Sequence, residues 1–171
     1  MEGIWKHVWP CSEYLGSYLN GNPEIVKNKK CLELGAGATA ILSIIALQNG
    51  AKSVVITDKY GPDDTPERQR IPALQRDNIK LNCKPDQVDR ACFEPLNWAD
   101  LATTKRVLTT HCNGGLDVVL GADVFYDPSV FIVLLDTVKA ILDVFPKAEF
   151  YFAYQNRKPQ PDDSNPTVAP L

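Results

Sequence analysis

The sequence predicts an α/β protein in which a parallel, doubly wound sheet carries helices on both faces. Three observations indicate this fold. Five short apolar stretches, each typical of a buried strand, alternate with longer stretches of helical periodicity. A turn containing Gly35 and Gly37 joins the first of these strands to an apolar helix. The second strand ends on an acid, Asp58, at the edge of the sheet where ligands bind in such folds.

The first half of the chain builds helices and strands around the glycine turn. Trp9 and Pro10 precede an amphipathic helix whose apolar positions over 11–19 recur at helical spacing, and Pro23 lies beyond its end. The predicted elements that follow are a strand over 31–34, a helix over 41–48, a strand over 53–57, an exposed loop over 59–70 and a helix over 72–82.

The second half supplies three further strands. Asp127 is a good N-cap and Pro128 a good first helical residue, so a helix with one apolar face is predicted from there to Phe145. The other predicted elements are strands over 88–93, 116–121 and 149–154, a loop over 94–98, a helical turn over 99–105 and a polar loop over 109–115.

Composition limits both the organisation and the partners of the chain. The 171 residues, 44% of them hydrophobic, predict one domain over 1–157 and a disordered, Pro-rich tail over 158–171. The net charge of −3 argues against direct binding of nucleic acid, and no apolar run approaches the length of a membrane span. Five scattered cysteines predict reduced thiols, and neither His7 nor His111 has ligand-like spacing, so no metal site is predicted.

The carboxyl ends of four predicted strands meet at one edge of the sheet. They carry the segments 33–37 and 122–127 and the side chains Asp58 and Trp98. Gly35-x-Gly37-x-x-Ala40 fits a dinucleotide fingerprint, and Asp58 stands where a carboxylate accepts hydrogen bonds from a ribose. The pattern therefore predicts a nucleotide-type ligand site.

The charge of Glu33 bears on which ligand this site takes. An acid two residues before Gly35 would repel a pyrophosphate but could hold the ammonium group of a methionine moiety, directly or through water. The sequence therefore favours S-adenosylmethionine over NAD. An NAD-linked oxidoreductase stays as a less favoured alternative, because the charge of Glu33 opposes a pyrophosphate.

Five motifs resemble those of the seven-β-strand, or class I, methyltransferases that modify proteins, the lysine-methyltransferase-like group. They are Glu33–Gly37, Asp58, Asn78 with Asn82, Leu96–Trp98 and Gly121–Asp127. The resemblance covers about 8–157. It implies a Rossmann-like fold, S-adenosylmethionine as cofactor, and methyl transfer to arginine or lysine of a protein such as a histone. It also implies a location in nucleus and cytoplasm.

The resemblance assigns roles to individual residues. By it, the cofactor contacts Trp9, Gly35, Ala36, Gly37, Asp58, Trp98 and Ala122. Asp123 would be the carboxylate that orients the acceptor nitrogen, with Tyr126 beside it, because the Asp-x-x-Tyr spacing is similar to a substrate-channel motif of the family. Asp127 is interpreted as a helix cap.

The chain departs from the family pattern after the fifth strand, where the family continues into a helix and an antiparallel hairpin. Here only a Pro-rich tail is predicted, so the sheet is expected to lack that hairpin. The aromatic strand 150–154 would then be a bare edge able to self-associate. This departure motivates the alternative function of a truncated, catalytically weak protein that binds the cofactor.

Overall fold

The computed structural model describes residues 6–155 and the backbone of 167–170, which form a six-stranded sheet with helices on both faces. The strands are β1 (Lys30–Glu33), β2 (Ser53–Asp58), β3 (Ala91–Pro95), β4 (Val118–Ala122), β5 (Glu149–Tyr154) and β6 (Thr167–Pro170). The helices are α1 (Pro10–Gly21), α2 (Ile41–Gln48), α3 (Pro66–Gln69), α4 (Ile71–Asn82), α5 (Pro85–Val88), α6 (Leu101–His111) and α7 (Phe131–Val144).

The spatial order of the strands is β3-β2-β1-β4-β5-β6, and β1 to β5 are parallel. The chain therefore turns back between β1 and β4, and such a switch point is where α/β sheets bind ligands. The sequence-based fold class is confirmed to this extent. In the part of the chain that the structure describes, no helix has the length and apolarity needed to cross a membrane.

Successive side chains of the buried strands point to opposite faces of the sheet and pack into two hydrophobic cores. One core packs α1, α2 and α4 against residues such as Val54, Ile56 and Leu120. The other packs α6 and α7 against Val55, Val119 and their neighbours on the opposite face. This alternation follows from the period of two in a strand, and it explains why the central strands are continuous apolar runs.

Three predicted boundaries are wrong because short local signals outweigh apolar periodicity. Val88 belongs to α5, which begins at Pro85, and the third strand runs over Ala91–Pro95 instead of 88–93. Asp100 caps α6 by accepting from the amides of Ala102 and Thr103, so α6 extends through the predicted turn and into the predicted polar loop. Pro66 and the Thr65 cap similarly start α3 inside the predicted loop over 59–70.

The end of the sheet also differs from the prediction. β6 pairs antiparallel with β5, with Tyr151 opposite Pro170 and Tyr154 opposite Thr167. The fifth strand is therefore not a bare edge, and the tail predicted to be disordered over 158–171 forms a strand at Thr167–Pro170. Its preceding part lies outside the described residues. The prediction failed because β6 is short, contains Pro170, and has no alternating pattern of its own.

Candidate active site

A cavity of about 340 Å³ opens at the carboxyl edge of the sheet, beside the switch between β1 and β4. Its size is within the range of small-molecule sites, roughly 300–1,000 Å³. Apart from Glu33, the site residues predicted from the sequence all line it. They are Trp9, Gly35, Ala36, Gly37, Asp58, Trp98, Ala122, Asp123 and Tyr126.

The glycine turn forms one wall of the cavity. Gly35 and Gly37 have φ angles of +66° and +59°, a left-handed conformation in which side chains are disfavoured. A Cβ at Gly35 would lie 3.1 Å from both Trp98 Cζ2 and Val124 Cγ1. Gly35 is therefore required by its backbone and by the close approach of the Trp98 ring. Ala40 ends the turn at φ 49° and precedes the first residue of α2.

Two side-chain amides of α4 hold the same turn from behind. Gln75 Nε2 donates to the Gly37 carbonyl at 2.8 Å, and Asn78 Nδ2 donates to the Ala38 carbonyl at 2.9 Å. Gln75 is fully buried. The motif that carries the resemblance includes Asn78, but Gln75 was missed, because the contact joins positions 38 residues apart.

Asp58 connects the glycine turn to the end of β2. Its Oδ2 accepts from the Gly37 amide at 2.6 Å, and its Oδ1 accepts from the Lys59 amide at 2.7 Å. Burial raises the pKa of Asp58, while the Gly37 hydrogen bond and the Arg68 charge oppose the rise. Each carboxylate oxygen keeps a further acceptor position. The residue can therefore accept hydrogen bonds from hydroxyl groups of a ligand.

Glu33 lies beneath the turn rather than in the cavity wall. Its Oε2 accepts from the Ser43 amide at 2.9 Å and from the Ser43 hydroxyl, near the start of α2. The side chain is 3% exposed, and burial raises its pKa to about 7 despite the hydrogen bonds from Ser43. This placement makes Glu33 a support that joins β1 to α2.

The aromatic wall comes from the segment after β3. Trp98 contacts the Gly35 backbone region, and its carbonyl accepts from the Thr137 hydroxyl of α7 at 3.2 Å. Trp9 lies near the start of the chain, just before α1, and the centroid of its ring is 6.2 Å from that of His7. Asn97 and Ala99 also line the cavity beside Trp98. The Trp9 and Trp98 rings offer flat apolar surface for a planar ring.

Asp123 and Tyr126 leave β4 together on the other side of the cavity. Asp123 has φ 55° and is buried, its amide donates to the Ala153 carbonyl at 2.8 Å, and its Oδ1 lies 3.8 Å from Cys11 Sγ. A non-glycine residue held in this conformation is typical of functional sites. Burial and the nearby carboxylates of Asp58, Asp127 and Asp123 raise the pKa of Tyr126, against the opposing charge of Arg68. Tyr126 is therefore a neutral hydrogen-bond donor at neutral pH.

The role interpreted for Asp127 is confirmed. Its Oδ1 accepts from the Ser129 amide at 2.9 Å and caps a 3₁₀ turn, Pro128–Val130, that leads into α7. The Ser129 hydrogen bonds lower its pKa. Asp127 thus fixes the exit of the segment that carries Asp123 and Tyr126.

The sequence did not predict the cationic side of the cavity. Lys59 follows β2 and Arg68 lies on the short α3, within the segment predicted as a loop, and both line the cavity next to Asp58. The Arg68 guanidinium lies 4.0 Å from Asp58 Oδ1 and donates to the Lys59 carbonyl at 3.0 Å. A polar loop of this kind gives no periodic signal, so only the fold shows which of its charges reach the site.

Comparison with known proteins finds a family and several relatives that this chain is similar to. The model of a family described as lysine methyltransferase matches residues 1–165. The chain is 30% identical over 151 residues to a histone-arginine methyltransferase, METTL23, of Xenopus laevis, covering 88% of this chain and 57% of that protein. It is 33% identical over 154 residues to the protein-lysine N-methyltransferase EFM3 of Chaetomium thermophilum, covering 88% and 42%. The chain thus spans about half the length of these relatives.

A solved structure shares the fold at much lower identity. A protein described as a methyltransferase complexed with SAH superposes with a TM-score of 0.62 at 14% identity, covering 87% of this chain and 36% of that one. At this identity the similarity concerns the α/β architecture.

Proposed function

The chain belongs to the lysine methyltransferase family and has its Rossmann-like class I fold, and from that premise we propose that it is an S-adenosylmethionine-dependent protein N-methyltransferase. The observation that carries the proposal is the convergence of the glycine turn, Asp58, Trp98 and the Asp123–Tyr126 segment on one cavity. The acceptor we propose is an arginine or lysine side chain of a protein such as a histone, since relatives named for these two specificities each match 88% of the chain.

The residues present fit S-adenosylmethionine. The Trp98 ring lies close to Gly35 and offers a flat surface against which an adenosine can lie, and Ala122, which also lines the cavity, has a small side chain. Asp58, held by the amides of Gly37 and Lys59, is placed to accept from ribose hydroxyls. When bound, the cofactor supplies a methyl group already activated by a sulfonium. A protein of the same fold is described as complexed with SAH.

We propose that Asp123 orients the acceptor nitrogen and that its carboxylate balances the positive charge of that group. A lysine with an ordinary pKa of about 10.4 must lose a proton before it attacks, and an arginine, at about 12.5 or above, needs a carboxylate that orients its guanidinium. Tyr126 stays protonated, so it can donate a hydrogen bond but cannot serve as the base. The protein's contribution is otherwise to position two reactants in one cavity.

Labelled-methyl transfer tests the proposal. The protein is incubated with methyl-labelled S-adenosylmethionine and histones or cell extract, and binding of S-adenosylhomocysteine is measured by calorimetry. Asp123→Asn keeps the size of the side chain and its tolerance of the left-handed backbone, so we expect transfer to fall about 10²-fold or more while S-adenosylhomocysteine affinity changes little. Asp127→Asn, the matched control, still caps the turn and should retain transfer.

The same measurements separate the alternatives. Tight binding of S-adenosylhomocysteine without transfer to any protein would favour a cofactor-binding protein of little catalytic activity. Absence of binding, or a larger thermal stabilisation by NAD than by S-adenosylhomocysteine, would overturn the proposed cofactor. Full transfer in Asp123→Asn would remove only the role of that residue.

A further inference from the structure

A second cluster of ligand-type side chains lies outside the cavity, between the edge strand β3 and α6. It consists of Cys92 and Glu94, which share one face of β3, and His111, the last residue of α6. One sulfur, one carboxylate oxygen and one ring nitrogen of these residues all lie within 4.8 Å of one another. All three residues are half-buried, and none of them lines the cavity.

Their contacts show that the three groups face one another. Cys92 Sγ lies 3.2 Å from His111 Nδ1, and His111 Nε2 lies 2.8 Å from Glu94 Oε1. The Nε2 atom is nevertheless buried without an aligned hydrogen-bond partner. The contact between His111 Nε2 and Glu94 Oε1 lacks the direction of a hydrogen bond. Both atoms therefore keep lone pairs that a cation could share.

The second oxygen of Glu94 is already held. Arg106, also on α6, contacts Glu94 Oε2 at 2.8 Å through one nitrogen and donates to the Pro95 carbonyl at 3.2 Å through the other. Glu94 Oε1 is therefore fixed toward His111. Support of a ligand by a neighbouring hydrogen-bonding group is usual in protein metal sites.

We propose that Cys92, Glu94 and His111 bind a zinc ion. Thiolate and imidazole donors together select zinc over magnesium or calcium, which take oxygen ligands. Zinc lies about 2.3 Å from sulfur and 2.0–2.2 Å from nitrogen or oxygen, so tetrahedral geometry places ligand atoms roughly 3.5 Å apart. Cys92 and Glu94 contact different nitrogens of the His111 ring, at 3.2 and 2.8 Å, so binding through one nitrogen requires the other ligand to move toward that side of the ring. Three protein ligands leave the fourth position to water.

The site would tie the edge of the sheet to α6. Among the described residues β3 has a strand neighbour on one side only, β2, and β3 leads directly to the segment that places Trp98 in the cavity. Because only the folded chain assembles the three ligands, zinc binding would stabilise the folded state. No spacing in the chain indicates the cluster, since Cys92 and His111 are 19 positions apart and β3 and α6 are joined through a loop.

The test uses the full-length chain after treatment with a chelator. Calorimetry with zinc chloride and a thermal melt with and without zinc should show one bound ion and a rise in melting temperature of several degrees. Cobalt in place of zinc should give a sulfur-to-cobalt charge-transfer band. We expect Cys92→Ala and His111→Gln each to weaken zinc binding at least tenfold, and Cys92→Ala to abolish the band.

Cys83→Ala is the matched control, because Cys83 is a half-buried thiol that follows α4 and is not part of the cluster. Zinc binding should persist in it. If wild type binds no zinc after chelator treatment, or if zinc binding survives in both cluster variants, the proposal is overturned. If one variant folds poorly, the cobalt band and the calorimetric stoichiometry of the wild-type protein still test the proposal.

Discussion

Glu33 is a buried acid whose position predicts how stability depends on pH. Burial raises its pKa from 4.5 in an exposed state to about 7 in the folded protein. Between these values the folded state binds more protons than the unfolded chain, so the contribution of Glu33 makes the protein less stable as the pH rises from about 4.5 to 7. The loss that corresponds to such a shift is on the order of 3 kcal/mol.

Glu33→Gln removes this titration but keeps an oxygen that can accept from Ser43. We therefore expect the free energy of unfolding of the variant to exceed that of wild type at pH 8 and to approach or fall below it at pH 4.5. Urea unfolding across that range measures the difference. Glu67→Gln, at an exposed site on α3, serves as control. A wild-type curve parallel to that of Glu33→Gln would show that Glu33 is not the titrating group.

Gly35 allows a second prediction at the scale of one residue. Gly35→Ala places a Cβ 3.1 Å from Trp98 and Val124 in a left-handed backbone. We expect a loss of about 1–3 kcal/mol in unfolding free energy and at least tenfold weaker binding of S-adenosylhomocysteine, because the Trp98 ring must shift.

Gly21→Ala is the comparison for this substitution, since a Cβ there meets nothing within 4 Å. It should leave ligand binding unchanged. Equal losses in the two variants would contradict the close approach of Trp98 to the turn. Calorimetry and chemical unfolding of both variants give the two quantities.

At the scale of elements, α4 acts as a brace for the glycine turn. Asn78→Ala would remove the donor to the Ala38 carbonyl, an interaction worth about 1 kcal/mol, and so release part of the cofactor-binding turn. We expect S-adenosylhomocysteine to bind several-fold more weakly, as measured by calorimetry. Asn82→Ala, one turn later on the same helix, removes a contact with the Asn78 carbonyl and should have little effect on binding.

The elements also show what a sequence can predict. The strands β1, β2, β4 and β5 were placed within two residues and the edge strand β3 within three, because apolar runs such as 53–57 are typical of strands covered on both faces. The convergence of Asp58, Trp98 and Asp123 followed from the parallel order of those strands. The brace from Gln75, the inward reach of Arg68 and the meeting of Cys92 with His111 depend on distances between elements. No local pattern encodes these distances.

At the scale of the whole molecule, the part of the sheet that the structure describes ends on β3 at one side and on β6 at the other. β6 covers the hydrogen-bonding edge of β5, whose Phe150, Phe152 and Tyr154 rings stack along one face at centroid distances of 5.1 and 6.2 Å. Unpaired strand edges recruit other chains, and aromatic strands do so strongly. The self-association expected through 150–154 is therefore conditional on the absence of β6.

Truncation after residue 157 would uncover that edge while leaving the parallel strands intact. We expect the truncated chain to form dimers or larger species at micromolar concentration, and the full chain to form fewer of them. Light scattering after size-exclusion chromatography measures both. Tyr154→Lys in the truncated chain adds a charge to a half-exposed position of the edge strand and should restore the smaller species. If the truncated chain matches the full chain in size, β6 does not protect β5. If it unfolds instead, as circular dichroism would show, pairing with β6 contributes to folding itself, because the aromatic strand then depends on a neighbour on each side.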